Sequence, residues 1–418
     1  MTNSKGTSLS FALSAPLISN IAQTPHAHPY TELFPPPPPS PTARSLPGAI
    51  AALQEFLHAP PPRDLPSSTV VLTGAGLSVA SGLADYRGAN GTYRVNKTYR
   101  PIYYHEFLAN HEARKRYWAR SFLGWTTLRN ALPNAGHFAV RDLGKLGFVS
   151  GVITQNVDSF HPRAHPEIPT LELHGYLRST VCTSCWNEFP REGFQKELAR
   201  LNPVWDDFLQ EAIASGALQT EDPHEKRARG IRMNPDGDVE LPEAPYTTFR
   251  YPACPGCLTS PPPLGDGSRG TVEVDNDGAW SPTSNAGILK PAVVMFGESI
   301  ANNVKQAAEE AIDGAGRMLI LATSMATYSA WRLAKRAKDR GMPIAIVNIG
   351  GVRGEDIFFA DLDPDQKGSR GVRLEMSTDS LLPALVEELR QPAFRGRDGS
   401  SEELAQENEA AVFKNMLQ

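Results

Sequence analysis

Cysteine is nearly absent from this sequence, at four residues in 418. That is too few for the disulfide framework of a small secreted domain, and a chain of this length buries its own core without one. Long apolar runs are absent as well. No stretch approaches the ~20 residues needed to span a bilayer, so no membrane partner is expected. Nor is there an excess of base. Lys and Arg number 41 against 46 Asp and Glu, a formal net charge of −5, which leaves no electrostatic footprint for intrinsic nucleic-acid binding. No internal repeat is visible. What is present is 40% apolar content, enough for two or three domains or for one large domain with an inserted module.

The four cysteines fall as two matched pairs, Cys182 with Cys185 and Cys254 with Cys257. The first pair lies in "ELHGYLRSTVCTSCWNEF", with His174 a few residues ahead of it. Neutral imidazole and thiolate both suit zinc, so His174 is either a ligand or a catalyst. Four thiolates already complete a tetrahedral site with Zn–S distances of about 2.3 Å. That leaves His174 outside the metal shell. Two disulfides or free thiols are the alternative, and two CxxC knuckles closing one site favour structural zinc over both.

Composition divides the chain. Residues 1–48 carry "FPPPPPSPTARSLP" and are rich in Ser, Ala and Pro, with Glu32 as the first acid; such a tail cannot bury enough surface to fold. Scarce acid and abundant Ser suit a mitochondrial transit segment, although the usual arginines are missing. The expected location is the mitochondrial matrix, with cytoplasm or nucleus as the alternative. Residues 391–418 read as a second tail with one short acidic helix. Between the tails, 49–176 and 290–390 read as two parts of one Rossmann-like domain, the first with a helical insertion, and 177–289 as a zinc-binding module. Two loops, "EDPHEKRARGIRMNPDGDVE" and "LTSPPPLGDGSRGTVEVDNDG", flank the second cysteine pair and read as excursions from that module.

The remainder alternates. "STVVLTGAGLS", "GFVSGVITQNVD", "RMLILATS" and "MPIAIVNIG" are apolar runs of strand length that end in small or polar residues. Continuous apolar strands suit a parallel sheet covered on both faces. Helical periodicity fills the gaps, as in "IAALQEFLHA" and "NNVKQAAEEAIDGA". The fold class is therefore α/β, a doubly wound parallel sheet whose chemistry sits where strands end. In "TGAGLSVASGLADYRG", Gly74 and Gly76 let backbone N–H groups approach a pyrophosphate, and Ser78 sits at a helix N-terminus. Glycines alone could serve only a tight turn. Asp85 and Arg87 have no packing reason to follow such a turn, whereas an Arg beside a phosphate does.

Taken together, GAGLSVASGLADYRG, TQNVDSFH, ELHG, the two CxxC pairs, KPAVVMFGE, ATS and VNIG occur in the order seen in sirtuins, and the chain resembles that family of NAD-dependent protein-lysine deacylases over residues 50–385. "RKRYWARSFLGW", "ARLNPVW" and "NPDGDVEL" resemble its class II branch, which contains the mitochondrial sirtuin 4 type. The resemblance implies that an acyl-lysine carbonyl meets the nicotinamide ribose of NAD, that nicotinamide leaves, and that a base then activates a ribose hydroxyl. His174 is the implied base, since imidazole titrates near neutral pH. Gln155 and Asn156 are implied at the ribose and Asp158 at the nicotinamide carboxamide; capping of the next helix is the rival role for Asp158. Tyr86 is implied to cover the nicotinamide side and exclude water. Gly74, Ala75, Gly76, Ser78, Asp85 and Arg87 complete that end, while Thr323, Ser324, Asn348, Ile349 and Gly350 are implied to hold the ADP half. Met295, Phe296, Gly297 and Glu298 resemble the strand edge that takes substrate peptide. His161 looks structural. The implied partners are acyl-lysine proteins, met by a monomer.

Several positions depart from the family pattern. Ala84 stands where Pro is usual, Ala322 where Gly is usual and His165 where Gly ends the TQNVD motif, while Gly351 and Val352 replace Pro-Thr after NIG. The exchanges at Ala84 and Ala322 are small enough to be tolerated, and His165 requires a backbone without positive φ. Deacylation is the first functional reading. Mono-ADP-ribosyl transfer through the same NAD pocket is the second, and a weakly catalytic NAD and zinc scaffold the third. In sirtuins that remove acidic acyl groups, a Tyr and an Arg stand three residues apart. Here Tyr93 is followed at that spacing by Asn96, which implies a preference for neutral, longer acyl groups.

Overall fold

The computed structural model describes residues 41–391 apart from 63, 98, 217–231, 242–243, 361 and 363–367. Both expected tails therefore fall outside the described residues, except for 41–48 and 391. Residues 41–48 already belong to the fold. Thr42 N–H donates to Arg373 O at 2.8 Å and its hydroxyl accepts from Arg373 N at 2.9 Å. Ser45 then caps the helix Leu46–His58 by accepting from Gly48 N. A polar cap and a proline in the first turn start that helix before the apolar period is visible.

In chain order the strands are β1 (Thr69–Thr73), β2 (Val149–Thr154), β3 (Thr170–Glu172), β4 (Gly175–Cys182), β5 (Glu188–Pro190), β6 (Arg232–Met233), β7 (Val239–Glu240), β8 (Leu289–Val293), β9 (Arg317–Leu321), β10 (Ile344–Val347) and β11 (Gly371–Leu374). Six form one parallel sheet in the order β11-β10-β9-β1-β2-β3. β5, β4 and β8 form a small antiparallel sheet, and β6 pairs with β7. The chain leaves β1 through β2 to β3, then returns to the opposite side for β9 to β11. Strand order thus reverses between β1 and β9, which opens a crevice beyond their carboxyl ends.

Every residue of β1, β9 and β10 is buried. Val71, Leu319 and Val347 pack against the helices Leu46–His58, Ala135–Lys145 and Thr378–Arg390, while Val70, Leu72, Ile320 and Ile346 pack against Asn302–Asp313 and Tyr328–Asp339. Burial on both faces accounts for the unbroken apolar runs, as expected of the doubly wound α/β class. A third core lies apart from the sheet. It joins Trp118 and Phe122 of the helix His111–Asn130 to Phe194, Phe249 and the buried cysteines, so the helical insertion packs on the cysteine-bearing segment.

One exchange carries a cost that composition hid. Ala322 has φ +50°, in the left-handed region where an L side chain is disfavoured by about 1–2 kcal/mol. It is held there because its N–H donates to Val347 O at 2.8 Å and its carbonyl accepts from Gly76 N at 3.1 Å. Ala322→Gly is expected to raise unfolding free energy by about 1 kcal/mol, the relief of strain exceeding the added freedom of the unfolded chain. A urea midpoint that stays or falls at unchanged slope contradicts this. His165, by contrast, has φ −150°, so its side chain meets no backbone penalty.

Candidate functional site

The segments after β1, β2, β9 and β10 converge on one cleft of about 1680 Å³ at the crevice between β1 and β9. That volume exceeds a single small-ligand pocket and suits a dinucleotide together with part of a second substrate. His174 and each NAD-assigned residue named from the sequence line it, as do Met295, Phe296, Gly297 and Glu298.

The glycine turn works differently from the sequence expectation. Gly74 N donates to Leu321 O at 3.2 Å and Gly76 N to Ala322 O at 3.1 Å, so neither N–H is left for a pyrophosphate. The glycines also serve close packing. A Cβ at Gly74 would stand 2.6 Å from Thr323 Cβ, and one at Gly76 2.9 Å from Ala322 O. Ser78 is not at a helix start either. It sits inside the short helix Ala75–Ser81, where its hydroxyl donates to Asp158 Oδ2 at 2.7 Å. Asp85 also has a packing reason after all: its carboxylate accepts from Gly88 N at 2.9 Å and its carbonyl from Thr92 N, which folds the loop behind it. Arg87 lies over the Tyr93 ring, 5.0 Å from its centroid.

The segment after β2 is stitched to that turn. Asn156 Nδ2 donates to Gly74 O at 3.1 Å and Ser78 Oγ at 3.2 Å. Asp158 accepts from Phe160 N at 2.9 Å, alongside the bond from Ser78, but the cap position of the helix Phe160–Ala164 is Ser159, so Asp158 braces the turn before the helix rather than capping it. Burial raises its carboxyl above the usual range. Gln155 Nε2 reaches Thr73 O and Thr323 Oγ1, and its Oε1 accepts from Thr327 Oγ1 at 3.1 Å.

His174, between β3 and β4, is held at both nitrogens. Nδ1 is 3.1 Å from Gln155 O and Nε2 is 2.9 Å from Ser329 Oγ. A carbonyl only accepts, so Nδ1 carries the proton and Nε2 keeps its lone pair. Burial pushes its pKa down to about 4, so the base form predominates at neutral pH.

Beneath the cleft, Thr73 Oγ1 meets His161 Nε2 at 2.9 Å, His161 Nδ1 meets His165 Nε2 at 2.8 Å, and the His137 ring lies 5.0 Å from that of His161. This supports the structural reading of His161. Burial lowers the pKa of His137 to about 3 and that of His161 well below its ordinary value. The unfolded chain therefore takes up protons first, near pH 6.5. Stability is complete above that pH and is lost as pH falls below it. At pH 5 His137 alone costs about 2 kcal/mol, at 1.36 kcal/mol per unit, and His161 acts in the same direction. Equilibrium unfolding at pH 7.5 and pH 5 checks this, and His137→Gln is expected to flatten the dependence.

At the far end, Asn348 Nδ2 donates to Ile349 O and Gly350 O, and Gly350 has φ +83°. The loop before Gly351 and Val352 is tied down by Arg373. Its buried guanidinium pairs with Glu355 Oε2 at 2.5 Å and donates to Asn348 O at 3.0 Å and Gly350 O at 2.6 Å. Nothing in the sequence singled out Arg373.

At the segment after β8, Val294 N donates to His174 O at 2.8 Å and Tyr104 N to Phe296 O at 2.9 Å. The Glu298 carboxylate accepts from Met295 N at 2.9 Å and pairs with Lys290 at 3.2 Å, so this side chain braces the turn. Phe296 packs edge-on to Tyr86, with centroids 6.2 Å apart.

The described part of the loop 221–240 is no excursion. The β6–β7 hairpin returns to the cleft, where Asp236 Oδ1 accepts from Tyr86 Oη at 2.5 Å, Asp238 pairs with Arg120 at 2.6 Å, and Glu240 Oε2 accepts from Asn96 Nδ2 at 3.4 Å. Burial raises the Asp236 carboxyl to about 6. The available signal was Gly124, a glycine inside the helix His111–Asn130, where a Cβ would collide with Gly237 O.

The four cysteines meet at the end of β4 and in the turn of Pro255–Thr259, with none in a disulfide. Their sulfurs all lie within 4.8 Å of one another, Cys182 3.5 Å from Cys257 and Cys185 3.6 Å from Cys254. A tetrahedron of thiolates around zinc has edges of about 3.8 Å, whereas a disulfide needs about 2.05 Å. Ser184 N, Cys185 N and Cys257 N point at these sulfurs at 3.4–3.5 Å. The donor set fits zinc.

Comparison with known proteins agrees with this layout. A solved Sir2 enzyme covers 82% of this chain and 97% of its own at 23% identity and a TM-score of 0.50, a likeness of fold. The NAD-dependent protein deacylase SIR4 of Batrachochytrium dendrobatidis is 36% identical over 327 residues, 77% of this chain and 90% of that protein. The NAD-dependent protein lipoamidase sirtuin-4, mitochondrial, of Bos taurus is 30% identical over 326 residues, 78% and 85% of the two chains. The Sir2 family model matches residues 74–329, from the glycine turn after β1 to the serine that meets His174. The chain belongs to the Sir2 family.

Proposed function

We infer that this protein is an NAD-dependent protein-lysine deacylase that moves the acyl group to ADP-ribose with release of nicotinamide. The observation that carries this reading is His174: a neutral imidazole of fixed tautomer lines the cleft, beside the network of Asn156, Asp158 and Gln155. Bound NAD supplies the chemistry of a sugar carbon made reactive by nicotinamide as leaving group. Asp158, Asn156, Gln155 and Tyr86 bind and orient its nicotinamide half and exclude water. Asn348, Ile349 and Gly350, fixed by Arg373, hold the ADP half with Thr323 and Ser324. Met295, Phe296 and Gly297 wall the substrate channel. The four cysteines hold a structural zinc remote from these steps. Incubation with NAD and an acyl-lysine peptide library is expected to yield O-acyl-ADP-ribose. ADP-ribosylated protein without that product would favour ADP-ribosyl transfer.

Neutral acyl groups are the expected substrates. Asn96 is bonded to Glu240, Arg100 is paired with Glu106 at 2.5 Å, and Asp236 lines the same cleft. Of the arginines that line the cleft, Arg120 is paired with Asp238, Arg87 lies over Tyr93 and Arg94 donates to Arg87 O, so a carboxylate-bearing acyl chain would have to draw one of them from its place beside the acid Asp236, while apolar methylenes gain about 0.8 kcal/mol each when buried. For peptides of one sequence, kcat/KM for lipoyl-lysine is expected to exceed that for succinyl-lysine by about tenfold or more; the reverse order refutes this. The bovine relative, named as mitochondrial, supports the matrix as location, and imaging of a C-terminally tagged chain tests it.

A further inference from the structure

Ser329 stands second in the helix Tyr328–Asp339, and no sequence motif marked it. Its hydroxyl lies 2.9 Å from Nε2 of His174, the nitrogen whose lone pair takes the proton. The other side of the ring is held by Gln155 O at 3.1 Å, and Gln155 is itself bonded to Thr327 Oγ1 at 3.1 Å, two residues before Ser329. One helix start therefore grips the imidazole twice, directly through Ser329 and indirectly through Thr327 and Gln155.

We propose that Ser329 is a positioning residue for the base His174, serving it in both protonation states. This rests on the deacylase reading. In the free protein Nδ1 already carries hydrogen, so Ser329 O–H donates to the Nε2 lone pair and keeps the ring aimed. A substrate hydroxyl displaces the serine O–H from that one lone pair and gives its proton to Nε2, which becomes a donor. The serine hydroxyl turns about its Cβ–Oγ bond, and an oxygen lone pair accepts the new N–H. No atom is gained or lost by Ser329. The second bond is the stronger, because its donor is a cation in a site where burial opposes charge. A group that binds the protonated base more tightly than the neutral one helps the step that protonates it. Alanine offers neither bond, and threonine offers both.

This places the effect of Ser329 on one step. Nicotinamide release precedes base action and is reversible, so exchange of labelled nicotinamide into NAD in the presence of acyl peptide reports the first step alone. Product formation needs the base. With the lipoyl-lysine peptide, Ser329→Ala is expected to form O-acyl-ADP-ribose about tenfold more slowly, while exchange and KM for NAD stay within about twofold of the parent. Ser329→Thr is expected to recover most of the rate. Parallel loss of exchange and product in Ser329→Ala, or an unchanged product rate, overturns the proposal. A parent protein that exchanges no nicotinamide and forms no acyl-ADP-ribose overturns the deacylase reading and this inference with it.

Discussion

His174→Ala is expected to leave a folded protein that still binds NAD and still exchanges nicotinamide, yet forms O-acyl-ADP-ribose about 100-fold or more slowly. The ring makes its bonds to Gln155 O and to Ser329 Oγ at the rim of the cleft, and no ion pair depends on it. Its loss vacates a small space without stranding a buried charge. The main-chain carbonyl of residue 174 keeps its bond from Val294 N, so the join between the two sheets survives. General-base catalysis is typically worth 10²–10⁴-fold, and among the described residues of the cleft no other histidine lies beside the Gln155 network. The measurement pairs product formation with nicotinamide exchange in one preparation. Product at the parent rate removes His174 from the mechanism, and simultaneous loss of exchange means that the substitution damaged the NAD cleft instead.

The second large effect concerns the metal. Cys257→Ser is expected to lose zinc and, with it, the packing of the core around Trp118, Phe194 and Phe249. Structural zinc sites contribute roughly 10–16 kcal/mol of apparent binding energy, as much as or more than the 5–15 kcal/mol that separates a folded domain from its unfolded chain. Cys182, Cys254 and Cys257 are fully buried in the same core as Trp118, Phe194 and Phe249. Removing one ligand therefore loosens the packing that also seats the helix His111–Asn130 and, through Gly124, the β6–β7 hairpin. Metal analysis, thermal unfolding and exposure of Trp118 by fluorescence report the three consequences. Stoichiometric zinc with an unchanged melting temperature in Cys257→Ser contradicts the assignment, as does a parent protein that purifies and melts identically after exhaustive chelation.

Much of the parallel sheet was legible because burial on both faces forces unbroken apolar runs. β1, β9 and β10 each carry one, β2 carries a shorter one interrupted by Ser150 and Gly151, and each ends in the small or polar residues that open the crevice. β3 and β11 were not read. β3 is a three-residue edge strand, only half-buried, and β11 carries Arg373 within four residues, so neither shows an apolar pattern. The glycine turn was located correctly, but a second use of its glycines was not read. GxG reports that the backbone is approached closely, and only coordinates reveal that one of the approaching partners is the end of β9.

What the sequence determined by itself is local. Two CxxC pairs specify a four-thiolate site because thiolate chemistry leaves few other uses for such spacing in a long chain. Apolar runs ending in glycine or polar residues specify a doubly wound sheet, and ELHG beside TQNVD marks His174, the proposed base. What only the tertiary structure decided is pairing between residues distant along the chain. His174 meets Ser329, Tyr86 meets Asp236, Arg373 meets Glu355 beneath the Asn348 loop, and Ala322 is forced to positive φ by its place between Val347 and Gly76. Each pairing depends on where a separate element comes to rest, and side-chain hydrogen bonds across such distances leave no periodic trace in the sequence.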